Sequence, residues 1–523
     1  MQVRRYLLLF VGLVGTAMLI GAAAALASTS THARSAAAAA APKRGGSVTI
    51  DRIEDSQSFD KTTVFQNESI WITEQIMETL YTTASNGKTL IPWLATGYTV
   101  SKDGKTYTFT LRKGVKFSNG QPMTSADVKF SIDDARAQSK GWGYLDAAIK
   151  SIAVAGPNKV VFHLKYPWAP FVADVGLFAN GIIPKNFAGQ TRKQFYTHPI
   201  GTGPFMWDKR VVGQTVSLKR NPYYWQKGKP YLDSVTWRFV SDDNTRELQL
   251  RGGQAQIDEF PPFSSISKLK STSGVTMNLF PSTRTDYLDI NESYAPLADV
   301  HVRRAISYAI DRASIVKAIL FGYGTPANSF LPPQVPFYSK SSPGIQYDMA
   351  KAKAEMAKSK YPKGFKVTLL VGSGATTETQ TGQVLQQALK QLGIDVTFKQ
   401  EDTSTEFQDI EKRNYQLGFS YWTMDIADPD ELVTFATDPA GGASEFYTGY
   451  RNPKVISLSH QAQRETNQAK RAQLYAQIQT LAANDAFLGF LYYSPFRYAT
   501  SSKVHGFFVE PLGNYHMENV WLG

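Results

Sequence analysis

Cysteine is absent from all 523 residues. That excludes disulfides, thiolate nucleophiles, iron–sulfur clusters and a lipid anchor carried on a cysteine. Histidine is scarce. His32, His163, His198, His301, His460, His505 and His516 include no pair at metal-ligand spacing on a helix and no HExxH. No GxSxG marks a hydrolase nucleophile, and no P-loop marks a nucleotide site. The expectation is therefore no metal, no cofactor and no catalysis. Charged residues make up only 19% of the chain, and despite a net charge of +12 no run of five basic residues occurs. The surplus is a dispersed, solvated surface, which argues against a nucleic-acid partner.

Long apolar runs are also missing, apart from Tyr6 to Ile20. That run follows Arg4 and Arg5, is short for a membrane span, and precedes the small residues Ala25-Leu26-Ala27. Residues 1–27 are expected to be a cleavable signal peptide. The Ala- and Ser-rich stretch 28–42 reads as a disordered leader, and loss of the two arginines would bring the charge from +12 to about +10.

What is present is ample apolar material, 42% of residues, in a chain long enough for several lobes. Ser47 to Ile50 reads as a first strand and Glu68 to Leu80 as a helix. Tyr107, Phe109 and Leu111 alternate with polar residues as in a half-buried strand, and Thr124 with Asp127 caps a following helix. The glycine- and proline-rich HPIGTGPF, His198 to Phe205, reads as a boundary or hinge. Strands are expected at Thr215–Leu218, Val235–Val240 and Tyr287–Ile290, and one helix over Val302–Leu320. Strand Phe365–Val371, helix Thr381–Leu392 and strand Ile394–Phe398 form a β-α-β unit. A long helix follows over Val455–Ala483, then a buried strand over Phe487–Tyr493. Strands mixed with helices over this length predict an α/β architecture.

Two local patterns bear on chemistry. In YWTMDIADPDELV, Tyr421 to Val433, the acids lack the alternation and central glycine of a calcium loop. Asp428-Pro429 reads as a helix cap, with Asp430 and Glu431 in the first turn. Asp425 is left over. Beside Trp422 at a strand end it is either a surface acid or a socket for an ammonium group. In Gly372-Ser-Gly374-Ala-Thr-Thr377, between strand and helix, two readings also stand: a tight turn, or amides that receive an anion.

FTLRKGVKFSNGQPMTSADVKFSI resembles the most diagnostic block of the family 5 extracellular solute-binding proteins of ABC importers. IGTGPF with VSLKRNPYYW, DVHVRRAISYAIDRASIVKAI and KVHGFFVEPLGNYHMENV resemble three further blocks, in the family's order. The resemblance implies a periplasmic binding protein fold, two lobes with a hinge plus an inserted third domain. Domain I would comprise 43–72, 199–291 and 494–523, domain II 73–198, and domain III 292–493. It also implies a monomer that captures a peptide or another amine-bearing solute between domains I and III and presents it to the transmembrane subunits of a permease.

Peptide-binding members pair an aspartate, three residues after a tryptophan, with the guest's α-amino group. Trp422-Thr423-Met424-Asp425 has that spacing. Thr423 would offer backbone groups and Trp422 a pocket wall, while Tyr493, Phe65 and Gln66 fall where members of the family touch ligand. One departure stands out. Dipeptide-binding members carry an arginine before the domain III helix to grip the carboxylate, and no Arg or Lys occurs here between Lys366 and Lys390. A longer peptide, a grip by the Gly372–Thr377 amides, or a sugar, opine or metal chelate would each accommodate that. An exported hydrolase is the reading from a different class.

Overall fold

Apolar–polar alternation builds the first sheet: Phe109 and Leu111 are buried while Thr110 between them is exposed. This computed structural model describes residues 41–138, 141–342, 344–441 and 445–523. The expected signal peptide and most of the leader lie outside them. Strands Ala95–Val100, Thr106–Leu111, Lys159–Leu164 and Ile149–Val154 form, in that order, an antiparallel four-stranded sheet. Helix Ser125–Arg136 packs on it and starts where expected, with the Thr124 N–H donating to Asp127 Oδ2 at 2.7 Å.

A seven-stranded sheet runs in the order Val275–Phe280, Phe496–Ser501, Ile257–Glu259, Ser47–Arg52, Ser234–Phe239, Thr215–Arg220 and Phe205–Val211. A six-stranded sheet runs Thr325–Pro326, Leu488–Tyr493, Thr285–Ile290, Leu417–Trp422, Lys366–Gly372 and Asp395–Glu401. Its last two strands, joined by helix Thr376–Lys390, pair in parallel as the expected β-α-β unit.

Between these two sheets the chain crosses twice, at 281–284 and at 494–495. The crossings are tied together. Ser282 Oγ donates to the Ser494 carbonyl, and Ser494 Oγ donates to Asp286 Oδ2 at 2.6 Å.

Three expected helices are shorter than their apolar periodicity. Asn67–Thr73 ends early. The expected helix over 302–320 is two, Val300–Ala309 and Arg312–Ala318, because Ile310 is extended and Asp311 recaps by accepting from the Ser314 N–H. The expected helix over 455–483 is likewise Pro453–Arg464 and Gln468–Asp485, with Asn467 accepting from the Lys470 N–H. In both breaks a short polar side chain offers the backbone a better partner than helix continuation.

HPIGTGPF is a clasp. A Cβ on Gly201 would sit 2.0 Å from the Ile76 carbonyl oxygen, and the Gly203 N–H donates to that oxygen at 2.8 Å.

Candidate functional site

A cleft runs between residues near the seven-stranded sheet and the ends of the six-stranded one. At one end Phe65, Gln66, Trp422, Thr423 and Asp425 meet in a cavity of about 110 Å³. Five of the residues singled out in the sequence are thus brought together. Strand Leu417–Trp422 places Trp422, whose ring lies 4.2 Å from that of Phe435 and whose Nε1–H donates to Glu431 Oε1 at 3.1 Å. The ladder with Thr285–Ile290 stops at Trp422. The loop beyond is shaped by the same buried carboxylate: Glu431 Oε2 accepts the N–H groups of Asp425 and Ile426 at 2.8 and 2.9 Å. Glu431 is therefore the organiser of this loop rather than a helix-dipole acid.

Asp428 is structural but not the cap itself: the helix starts at Asp430 with Pro429 at its N-cap. Asp428 accepts from the Asp430 N–H at 3.0 Å, and Arg471 grips it at 2.8 Å.

Asp425 is half-buried at the cavity wall. Burial first, then the charge of Glu74, pushes its carboxyl well above the usual range, and no cation among the described residues opposes that rise. Glu431, beside it, is pushed up by burial and by Asp425. An ammonium group beside Asp425 would oppose that rise and favour the charged carboxylate.

The other carried-over residues divide. The Thr423 hydroxyl meets Asn67 Nδ2 at 3.0 Å, across the cleft. Phe65 packs against Trp142, ring centroids 4.9 Å apart. Gln66 lines the cavity, but its amide is used internally: it accepts from the Gln57 N–H at 2.9 Å and donates to Glu54 Oε2 at 3.1 Å. Its role is to aim Glu54.

Tyr493 is a correction. Its hydroxyl donates to Asn328 Oδ1 at 2.9 Å and accepts from the Ser329 N–H at 3.0 Å, buried away from the cleft. Side chains alternate along a strand, so it is Tyr492 that lines the cleft. The anion reading of Gly372 is also corrected, since its N–H already donates to Glu378 Oε2 at 3.2 Å. A Cβ there would fall 2.5 Å from Glu406 Oε2, so the glycine makes room for a carboxylate of the chain itself. Gly374, with φ +84°, lines the far cavity of about 190 Å³ and faces open space.

Several lining residues escape sequence reasoning. Arg284, in the first crossing, is held by Asp286 at 2.6 Å and stacks 3.5 Å from the Tyr421 ring centre. Arg497 follows the second crossing. It is buried, donates to the Pro261 carbonyl at 3.0 Å, and has no carboxylate in ion-pair reach among the described residues. Burial and the nearby Arg284 lower it to about 10. Glu54, Glu68, Glu378 and Glu406 stand between the two ends and line both cavities. Burial, then the charge of Asp286, pushes Glu378 up to about 7, while burial with the charges of Glu378 and Glu54 pushes Glu406 up to about 9. Glu54, Glu378 and Glu406 share only a position a few residues past a strand end, and Glu68, at the start of helix Asn67–Thr73, lacks even that signal. No group of three His, Asp or Glu among the described residues is spaced to hold a metal ion.

Comparison with known proteins fits this geometry. Residues 89–444 match the model of the bacterial extracellular solute-binding proteins, family 5 (middle). The glutathione-binding protein GsiB of Salmonella choleraesuis is 31% identical over 429 residues, covering 80% of this chain and 83% of its own. The periplasmic binding protein DppA of Helicobacter pylori, solved with the peptide STSA, superposes with a TM-score of 0.84 at 27% identity, covering 92% and 98% of the two chains. The oligopeptide-binding protein AppA of Bacillus subtilis, solved with a nonapeptide, gives 0.85 at 25% identity, covering 92% and 100%. With its α/β sheets and the cleft beside their two crossings, the chain belongs to the family 5 bacterial extracellular solute-binding proteins.

Proposed function

We propose that this protein is the periplasmic binding component of an ABC importer and captures a short peptide by its free amine. The observation that carries the reading is Asp425, a carboxyl on the cavity wall beside Trp422 with no cation among the described residues paired to it. An ammonium group there gains charge-assisted hydrogen bonds in a site already desolvated. At the other end Arg497, buried and without a carboxylate partner among the described residues, suits the guest's carboxyl group. It replaces the missing domain III arginine from the opposite side of the cleft. The cavities, about 110 and 190 Å³, are small for ligand sites, which favours a guest of a few residues.

In this reading residues 43–72, 199–291 and 494–523 form domain I, 73–198 domain II and 292–493 domain III. The tied crossings are the hinge, and a monomer delivers the closed, loaded form to the permease. A signal peptide at 1–27 directs export. An oligosaccharide guest is less favoured, because the Trp422 ring is buried against Phe435 rather than open for stacking.

Calorimetric titration tests the amine anchor. Free di- and tripeptides should bind, and their N-acetylated forms should lose at least about tenfold in affinity, as should Asp425→Ala with free peptides. Equal binding of free and acetylated peptides would refute the role of Asp425.

A further inference from the structure

The four glutamates between the two ends of the cleft have no use in gripping a peptide's termini. Glu54 and Glu68 flank the cleft from one side, near the start of helix Asn67–Thr73. Glu378 and Glu406 flank it from the other, on helices Thr376–Lys390 and Thr403–Glu411. None of the four closes an ion pair with a described residue. Arg52 is committed to Glu259 at 2.8 Å and Arg284 to Asp286 at 2.6 Å, while Arg497, which lines the far cavity, forms no ion pair with any of the four among the described residues.

Glu406 is the telling member. It is 5% exposed and lines both cavities, yet its Oε1 has no donor among the described residues, and the carboxyl's side-chain hydrogen bond is to another acid, Glu378. A buried carboxylate oxygen without a donor costs free energy, and natural proteins leave few. Gly372 adds to this, since any larger residue would collide with Glu406 Oε2 and displace it. Gln66 likewise spends its amide on aiming Glu54, with an Nε2 to Oε2 distance of 3.1 Å. The cluster is thus built and held, not incidental surface charge. Metal-site spacing is absent among the described residues. The chemistry that satisfies four converging carboxyls without metal geometry is an organic cation with several N–H donors.

We propose that Glu54, Glu68, Glu378 and Glu406 form a subsite for the ammonium or guanidinium of a basic side chain, so that the guest is a short peptide containing Lys or Arg. The proposal rests on the peptide reading above and adds side-chain selectivity to it. With Asp425 at one end, Arg497 at the other and the acids between, the cleft matches a peptide's amine, carboxyl and basic side chain in turn. A free polyamine offers the same cation without the peptide.

Calorimetry with Ala-Lys-Ala, Ala-norleucine-Ala and spermidine separates these cases, because norleucine keeps the alkyl stem and removes the charge. Wild type is expected to favour Ala-Lys-Ala over the norleucine peptide by at least about tenfold. In Glu378→Gln/Glu406→Gln that ratio should fall toward one with norleucine binding retained, which also shows that the variant is folded. Asp425→Asn should weaken both peptides and leave their ratio unchanged. If wild type binds both peptides equally, or the double variant keeps the ratio, the cation subsite is wrong while the peptide reading survives. If spermidine binds and neither peptide does, the peptide reading is wrong and the acidic site serves a polyamine. If none of the three binds, both fall.

Discussion

A single hydroxyl distinguishes two neighbouring tyrosines. Tyr493 Oη serves Asn328, Ser329 and Leu331, so Tyr493→Phe should cost about 1–3 kcal/mol in denaturant unfolding and leave peptide affinity unchanged. Weakened binding at normal stability would return Tyr493 to the site. Glu406 makes the pH-dependent case. Its folded-state value of about 9 lies above that of an ordinary glutamate, so its neutral form suits the empty cleft. Its contribution to stability is intact at low pH and is lost as pH rises through the window up to about 9. Glu406→Gln stays neutral throughout. Its melting temperature should therefore gain on the wild type steadily from pH 5 to pH 9 in buffer without ligand, whereas a gap that does not change with pH would contradict this.

Asp425 and Trp422 were legible in the sequence because four consecutive residues carry the pattern. Glu54, Glu378, Glu406 and Arg497 were not, because their only relation is spatial. They come from separate elements that meet only once both large sheets have formed.

Among the elements, several strands and one β-α-β unit were legible in the apolar pattern, while the order of strands in the sheets and the helix lengths were not. Apolar periodicity runs through Ile310 and through 465–467, but Asp311 and Asn467 stop the helices with local hydrogen bonds that a hydrophobic pattern does not register. Tertiary ties between elements were equally hidden. The loop after Trp422 is anchored to helix Gln468–Asp485 by Arg471 on Asp428, with side chains 2% and 10% exposed. Asp428→Ala leaves a buried guanidinium uncompensated and should cost about 3–5 kcal/mol by chemical denaturation. It should also loosen the Asp425 loop. A loss below about 1 kcal/mol would mean that the pair is solvated in solution.

At the scale of the whole molecule, the separation of the chain into sheet layers was visible in its glycine-rich joins, while the role of each join was not. HPIGTGPF reads in the sequence as a boundary or hinge, and in the fold its glycines close tightly on Ile76. The crossings at 281–284 and 494–495 carry no such flag, since Ser282 and Ser494 are ordinary loop residues. The surface charge has its own consequence. A chain whose formal charge of +12 falls to about +10 without residues 1–27 encloses a cleft walled by glutamates, so a basic guest is repelled at long range and attracted only at the mouth. Screening acts first on the distant term. Stopped-flow association of Ala-Lys-Ala should therefore speed up with added salt even as equilibrium binding weakens, the reverse of ordinary electrostatic steering. Uptake of such guests would then be tuned by the ionic strength around the protein, with the exterior acting as a toll that brine lifts and fresh water restores.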